Sequence, residues 1–149
     1  MDIVNIIESS KPGDWIDCLP NYQQKPIKEW YSISRDYNIV ADNWQQTTYE
    51  MYAPCGNLPS PKNYYEQVLN ELEALLRGAD RYKDLLSKID NSKIIANTAI
   101  STWIANSIAE YTGTSSVFIA PLVMLALETI AKLGVNAWLN TRKKMNNPN

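Results

Sequence analysis

The sequence predicts an α+β protein dominated by its helices: a small, aromatic-rich N-terminal part with short strands, packed on a C-terminal four-helix arrangement that ends in an apolar helical hairpin. Three observations predict it. From residue 61 onward apolar residues recur every three to four positions, the period of a helix with one buried face. Between residues 31 and 42 they alternate instead, the period of a half-buried strand. Between Lys93 and Glu128 the only charged residue is Glu110, so two consecutive helices there carry almost no charge. At 149 residues, 45% apolar and 20% charged, the chain is long enough to bury one core and too apolar to be disordered. Residues 1–60 read as an aromatic-rich subdomain, with three of the five Trp and five of the nine Tyr. Residues 61–149 read as a helical region with its hairpin at 92–141.

Asp2 is placed to cap a short helix from Ile3 to Ser9, which Lys11-Pro12-Gly13-Asp14 stops. Tyr31, Ile33, Tyr37, Ile39 and Ala41 then alternate with Ser32, Ser34, Asp36, Asn38 and Asp42, broken by Arg35. Ile27, Trp30 and Tyr31, after Pro26, fit one helical face instead; short strands are the expectation. Pro54, Gly56, Pro59 and Pro61 mark a connecting loop.

Ser60-Pro61 reads as a helix start. Tyr65, Val68, Leu69, Leu72, Leu75 and Leu76 supply its apolar face, and Gly78 its C-terminal cap. A second helix, about Asp80 to Ile89, repeats the pattern with Tyr82, Leu85, Leu86 and Ile89. Glu73–Arg77 and Asp84–Lys88 stand four apart with the acid first, worth about 0.3–0.5 kcal/mol each.

The hairpin begins with a helix at about Ser92–Thr112, whose apolar face is Ile95, Ala99, Ile100, Trp103, Ile104 and Ile108. Gly113 ends it. The stretch from Val117 to Leu127 has no charge, and Pro121 either starts the last helix or kinks it. Glu128, Lys132 and Asn136 follow at intervals of four and share one face, with Ala126, Ile130, Gly134 and Ala137 on another. Small residues spaced by four, Ser101, Ala105 and Ala109 in one helix and Ala126 to Gly134 in the other, form ridges that let backbones approach closely.

The hairpin supports two readings. In one, the last helix is the centre of a soluble bundle, with Glu128 and Lys132 paired at its surface. In the other, the hairpin is stored folded and inserts into a membrane on a trigger. Eleven large aliphatic or Phe residues contribute about −5 kcal/mol to insertion, while each central charge costs roughly 2.5 to 3.5, so Glu128 and Lys132 bring the balance near zero. Glu128, Lys132 and Asn136 would face a pore or partner helices, and Arg142, Lys143 and Lys144 would stay at the cytoplasmic face. Over this segment alone the architecture resembles the hydrophobic hairpin of pore-forming bacteriocins. Outside the membrane reading, the basic triplet is expected to be a solvated helix end.

Composition excludes much chemistry. With no histidine, Ser-His-Asp and Cys-His sites cannot form, and the usual neutral-pH acid–base group is missing. Cys18 and Cys55 alone cannot build a structural zinc site and read as partly buried thiols. Gly13, Gly56, Gly78, Gly113 and Gly134 make neither a dinucleotide fingerprint nor a phosphate loop. A net charge of −2 gives no field for nucleic acid. Asp14 and Asp17 flank Trp15 and Ile16 beside Cys18; they could serve a carboxylate enzyme, but solvated acids around a buried Trp15 are the expectation. Trp30, Tyr31, Tyr37, Trp44, Tyr49 and Tyr52 read as core before they read as a ligand surface.

The expectation is therefore a cytoplasmic protein that is not an enzyme, without cofactor, metal, nucleic acid or identified small-molecule substrate. It self-associates or docks a protein partner through the hairpin, with Trp103, Ala105, Ala109, Ala126, Glu128, Lys132, Gly134 and Asn136 as the working residues. The alternative is a membrane-inserting effector using the same segment.

Overall fold

The computed structural model describes residues 2–52, 63–93 and 96–146, and of residues 49–52 and 144–146 the backbone alone. It is 82% helical, with eight α-helices and no strand among the described residues. The fold is all-α, and the expectation of short N-terminal strands is overturned. In their place stand α2 (Asn21–Ser34) and α3 (Tyr37–Tyr52). Arg35 ends α2 in the left-handed conformation, at φ 56°, and the Asp36 carboxylate accepts the Asn38 N–H at 2.8 Å to start α3. Inside α3 the residues that go inward are Tyr37, Val40, Ala41 and the half-buried Trp44, which is helical spacing. The alternation also drew on Ile33 and Ile39, which are 84% and 46% exposed and serve no core. Tyr31 stacks on Tyr37 with ring centroids 4.3 Å apart, closing the α2–α3 corner. The alternative helical face, Ile27 with Trp30 and Tyr31, is the one that forms: Ile27 is fully buried and the two aromatics pack against the core.

α1 (Ile3–Ser9) forms where expected, with Asp2 accepting the Asn5 N–H at 2.8 Å. Ser60-Pro61 and the surrounding loop lie outside the described residues; the helix that follows, α4 (Tyr64–Leu76), is capped by Asn63. Gly78, at φ 77°, closes α4: the Ala79 N–H reaches the Ala74 carbonyl and the Gly78 N–H the Leu75 carbonyl, the paired bonds of a left-handed C-cap. A 3-10 turn at Asp80–Tyr82 leads into α5 (Lys83–Asp90). The Glu73–Arg77 ion pair forms at 3.0 Å, whereas Lys88 lies over the Trp103 ring, 4.2 Å from its centroid.

α6 (Asn97–Thr112) and α7 (Ser116–Leu133) form the hairpin, turned by Gly113 at φ 71° and started again by the Ser115 cap. Ile95 lies outside the described residues. The last helix is shorter than the sequence predicts. Gly134 adopts φ 92° and ψ 144°, a conformation closed to residues with a Cβ, and the chain restarts as α8 (Val135–Asn146). Among the described residues, 61–149 thus hold five α-helices rather than four.

α7 is the centre of the molecule. It packs on α6, α3 and α4 most extensively, and also on α1, α8 and the 3-10 turn at Ile16–Cys18. Its run from Pro121 to Glu128 is buried without interruption, which explains an apolar sequence with no polar face: neighbours cover every side. One continuous core extends from Ile3 in α1 to Trp138 in α8.

Candidate functional site

The eight residues singled out by the sequence do not form one surface. Ala105, Ala109 and Ala126 are buried inside the fold, so their small side chains set helix spacing within the chain. Trp103 is half-buried beneath Lys88. Lys132 and Asn136 are exposed, and Gly134 is the break between α7 and α8 rather than a ridge position. Glu128 is 3% exposed; it is not a surface partner of Lys132.

What the structure brings together instead is a set of polar ties between the N-terminal helices and the interruptions of the apolar α7. Pro121 lies inside α7 and is buried. Lacking an N–H, it leaves the Val117 carbonyl without its helical donor. Gln23 of α2, only 2% exposed, donates its side-chain N–H to that carbonyl at 3.1 Å. One residue on, the Phe118 carbonyl accepts the indole N–H of Trp44 at 3.1 Å. One turn before the end of α7, the Glu128 carboxylate accepts the backbone N–H groups of Gly13 and Trp15, each at 2.8 Å, and the Tyr37 hydroxyl at 3.3 Å. At the restart of the chain, Glu8 of α1 accepts the Val135 N–H at 3.1 Å. A buried polar group without a partner costs about 1–3 kcal/mol, so each tie fixes where the N-terminal helices sit.

Glu128 sits in the environment that usually marks an acid–base residue. Burial pushes its carboxyl above the ordinary glutamate range, and the N–H donors of Gly13 and Trp15 and the Tyr37 hydroxyl draw it part of the way back. Burial, the neighbouring Tyr31 and the Glu128 charge all raise Tyr37. The carboxylate oxygens already have N–H and O–H donors from the loop and α3, so the geometry is that of a clasp. Trp15 is fully buried beside it, its indole N–H on Ser10 Oγ at 3.0 Å, which is the expected anchor. The acids flanking Trp15 are engaged locally: Asp14 accepts the Lys11 N–H at 2.8 Å and Asp17 pairs with Lys28 at 2.9 Å.

A second buried charge lies on the far side. Arg142 is not a solvated helix end: its side chain is 3% exposed and reaches Glu66 at 3.0 Å, Glu73 at 3.3 Å and the Asn70 side-chain oxygen. It fastens α8 to α4. Lys143 is exposed, and the Lys144 side chain lies outside the described residues. Cys18 is free and half-buried, its thiol raised by burial; Cys55, Tyr49 and Tyr52 offer no described side chain. No cluster of His, Cys, Asp and Glu able to hold a metal ion occurs among the described residues.

Sequence reasoning missed Gln23, Trp44, Tyr37 and Glu8. One signal was legible: a proline inside an apolar helix requires an outside donor for the carbonyl four residues before it. The identity of the donor was not, because Gln23 lies 94 positions from Val117.

The molecule defined by this geometry is an all-α protein in which amphipathic helices wrap one apolar central helix. No protein-family model, no curated protein and no solved structure matches the chain.

Proposed function

We propose that this is a non-catalytic protein that works through its α6–α7 hairpin, and that the hairpin is stored in the folded chain for contact with a lipid bilayer. The observation that carries the reading is α7 itself. It is uncharged from Ser116 to Leu127, long and apolar enough by length and composition to cross a membrane, and enclosed by other helices. Its 18 residues make a helix of about 27 Å, close to the roughly 30 Å of a hydrocarbon core.

The sequence-level objection, two charges in mid-helix, loses much of its force. Because α7 ends at Leu133, Lys132 falls in its last turn, where a lysine can reach the interface. Glu128 stands one turn before Lys132, and a carboxyl inserts at lower cost in its neutral form. The engagement of the two most buried charged side chains within the fold, Glu128 by the loop and Arg142 by α4, supports a structural rather than a catalytic use of both.

A second reading, docking of a protein partner or a second copy, is favoured by a different observation. Tyr22 and Ile33, 69% and 84% exposed, stand eleven positions apart on α2, about 20° around its axis. Ala105, Ala109 and Ala126 do not support docking, since they face inward.

Flotation of the full-length protein with anionic and with neutral vesicles, with dye release recorded in parallel, separates the two. Flotation of a minor fraction, with leakage, is the expected result. Protein left at the bottom among intact vesicles overturns the bilayer reading, and a larger assembly by light scattering that Ile33→Asp dissolves then supports docking.

A further inference from the structure

We infer that residues 2–44, from α1 through the first half of α3, form an autoinhibitory cover: their polar ties to α7 and α8 help hold the hairpin shut, and the hairpin meets a bilayer only when those ties open. The inference rests on the bilayer reading above and adds how the stored hairpin is controlled.

α8 is fastened to α4 by the buried Arg142 with Glu66, Asn70 and Glu73, and a second bond runs from Arg77 to the Leu139 carbonyl at 3.2 Å. α6 packs on α7 more extensively than any other helix pair, and its Ile100, Ile104 and Ile108 are buried. These helices form one block around α7. The N-terminal helices share its apolar core through Ile3, Ile7, Ile27, Val40 and Ala41, and they also reach the block at separated polar points: Gln23 and Trp44 near Pro121, Gly13, Trp15 and Tyr37 at Glu128, and Glu8 at Val135. α3 is also tied to α4, where Asn38 accepts the Tyr65 hydroxyl at 2.8 Å and Gln45 accepts the Tyr65 N–H at 3.1 Å.

The Val117 carbonyl and the Glu128 carboxylate are groups that α7 cannot satisfy alone, so these ties and the apolar face beneath them are covered or uncovered together. A hydrogen bond between cover and spine is replaceable by water once the seam opens, whereas the apolar face is not. Opening therefore leaves a surface that a bilayer stabilises and water does not.

The test compares wild type, the double variant Gln23→Leu/Trp44→Phe and the control Tyr82→Phe, all full length, in flotation with vesicles of anionic and neutral phospholipid. The control removes the Tyr82 hydroxyl bond to Glu71, 2.7 Å long and remote from the cover. Loss of two hydrogen bonds at the seam is expected to raise the vesicle-bound fraction of the double variant roughly tenfold or more. α7 amides should exchange faster in the double variant alone, and the control should float as wild type does. Equal binding by all three overturns the cover while leaving the bilayer reading standing. Faster α7 exchange in the double variant with no flotation of any form overturns both. Should the double variant not fold, Trp44→Phe alone gives the same comparison with a smaller expected rise.

Discussion

α2 and α7 are of similar length, 14 and 18 residues, and are built on different terms. α2 buries Gln23 and Ile27; α7 buries ten residues, of which only Glu128 is charged. The first helix lies over the molecule and is located by a few specific contacts, while the second is held by apolar burial from every side. Non-directional burial confers stability in proportion to area, but it does not choose an orientation for a covering helix. Directional bonds to the few polar breaks of the central helix do that. The comparison teaches that in this chain the two helices share one core, and that directional ties to α7 add placement to the stability that burial confers.

The largest expected effect tests the apolar side of that contrast. Leu125, fully buried in α7, should cost about 3–4 kcal/mol when changed to Ala, read as one cooperative shift in denaturant unfolding; a loss confined to one region would break the comparison. Arg142→Met should cost about 2–3 kcal/mol, below the full penalty for an unpaired buried charge because Glu66 still reaches solvent. Its signature is exposure of α8 in hydrogen exchange before α1–α3 open.

Gln23→Leu leaves the Val117 carbonyl unsatisfied and should cost about 1–2 kcal/mol. Exchange should quicken in α2 and the first turns of α7 and stay unchanged in α4. Uniform acceleration along the chain would show that cover and block are not separable.

Glu128 sharpens the comparison through pH. Its folded carboxyl titrates above the ordinary 4.5 because of burial, so the folded chain binds that proton more tightly than the unfolded one. The stability linked to it is fully present at and below pH 4.5 and is lost as pH rises through the raised value. Glu128→Gln, neutral throughout, should remove that component: the melting temperature of wild type should fall relative to the variant as pH rises from 4.5. Acid by itself therefore stabilises the folded chain and is not the expected trigger for opening. A difference that runs the other way would mean the backbone N–H donors outweigh burial. The smallest effect is Asp2→Ala, which removes the cap of α1 and should cost about 1 kcal/mol, seen as fraying of residues 3–6 in exchange.

Local rules were enough to place α1 and to stop helices at Gly78 and Gly113, because capping and left-handed glycine geometry are decided by neighbouring residues. They failed between residues 31 and 42. Of the alternating residues, Tyr37 and Ala41 are buried but Ile33 and Ile39 are exposed, so the pattern mixed a helical face with two solvent-facing isoleucines. The error over the last helix has a similar origin: Gly134 is tolerable inside a helix by propensity, and only its φ of 92°, beside Glu8, makes it a break. The candidate residues were legible as members of an apolar hairpin and illegible as a site, since spacing by four says that residues share a face but not which neighbour that face meets.

By itself, then, the sequence determined that the C-terminal third is an almost uncharged helical hairpin, that histidine-based chemistry is impossible, and where several helices begin and end. These are properties of composition and of contacts a few residues apart. Tertiary structure alone decided that Glu128 is an interior clasp, that Arg142 joins α8 to α4, and that Gln23 and Trp44 serve the break made by Pro121. Each of those assignments pairs groups separated by about 70 positions or more, and such partners are chosen by how whole helices pack rather than by anything local.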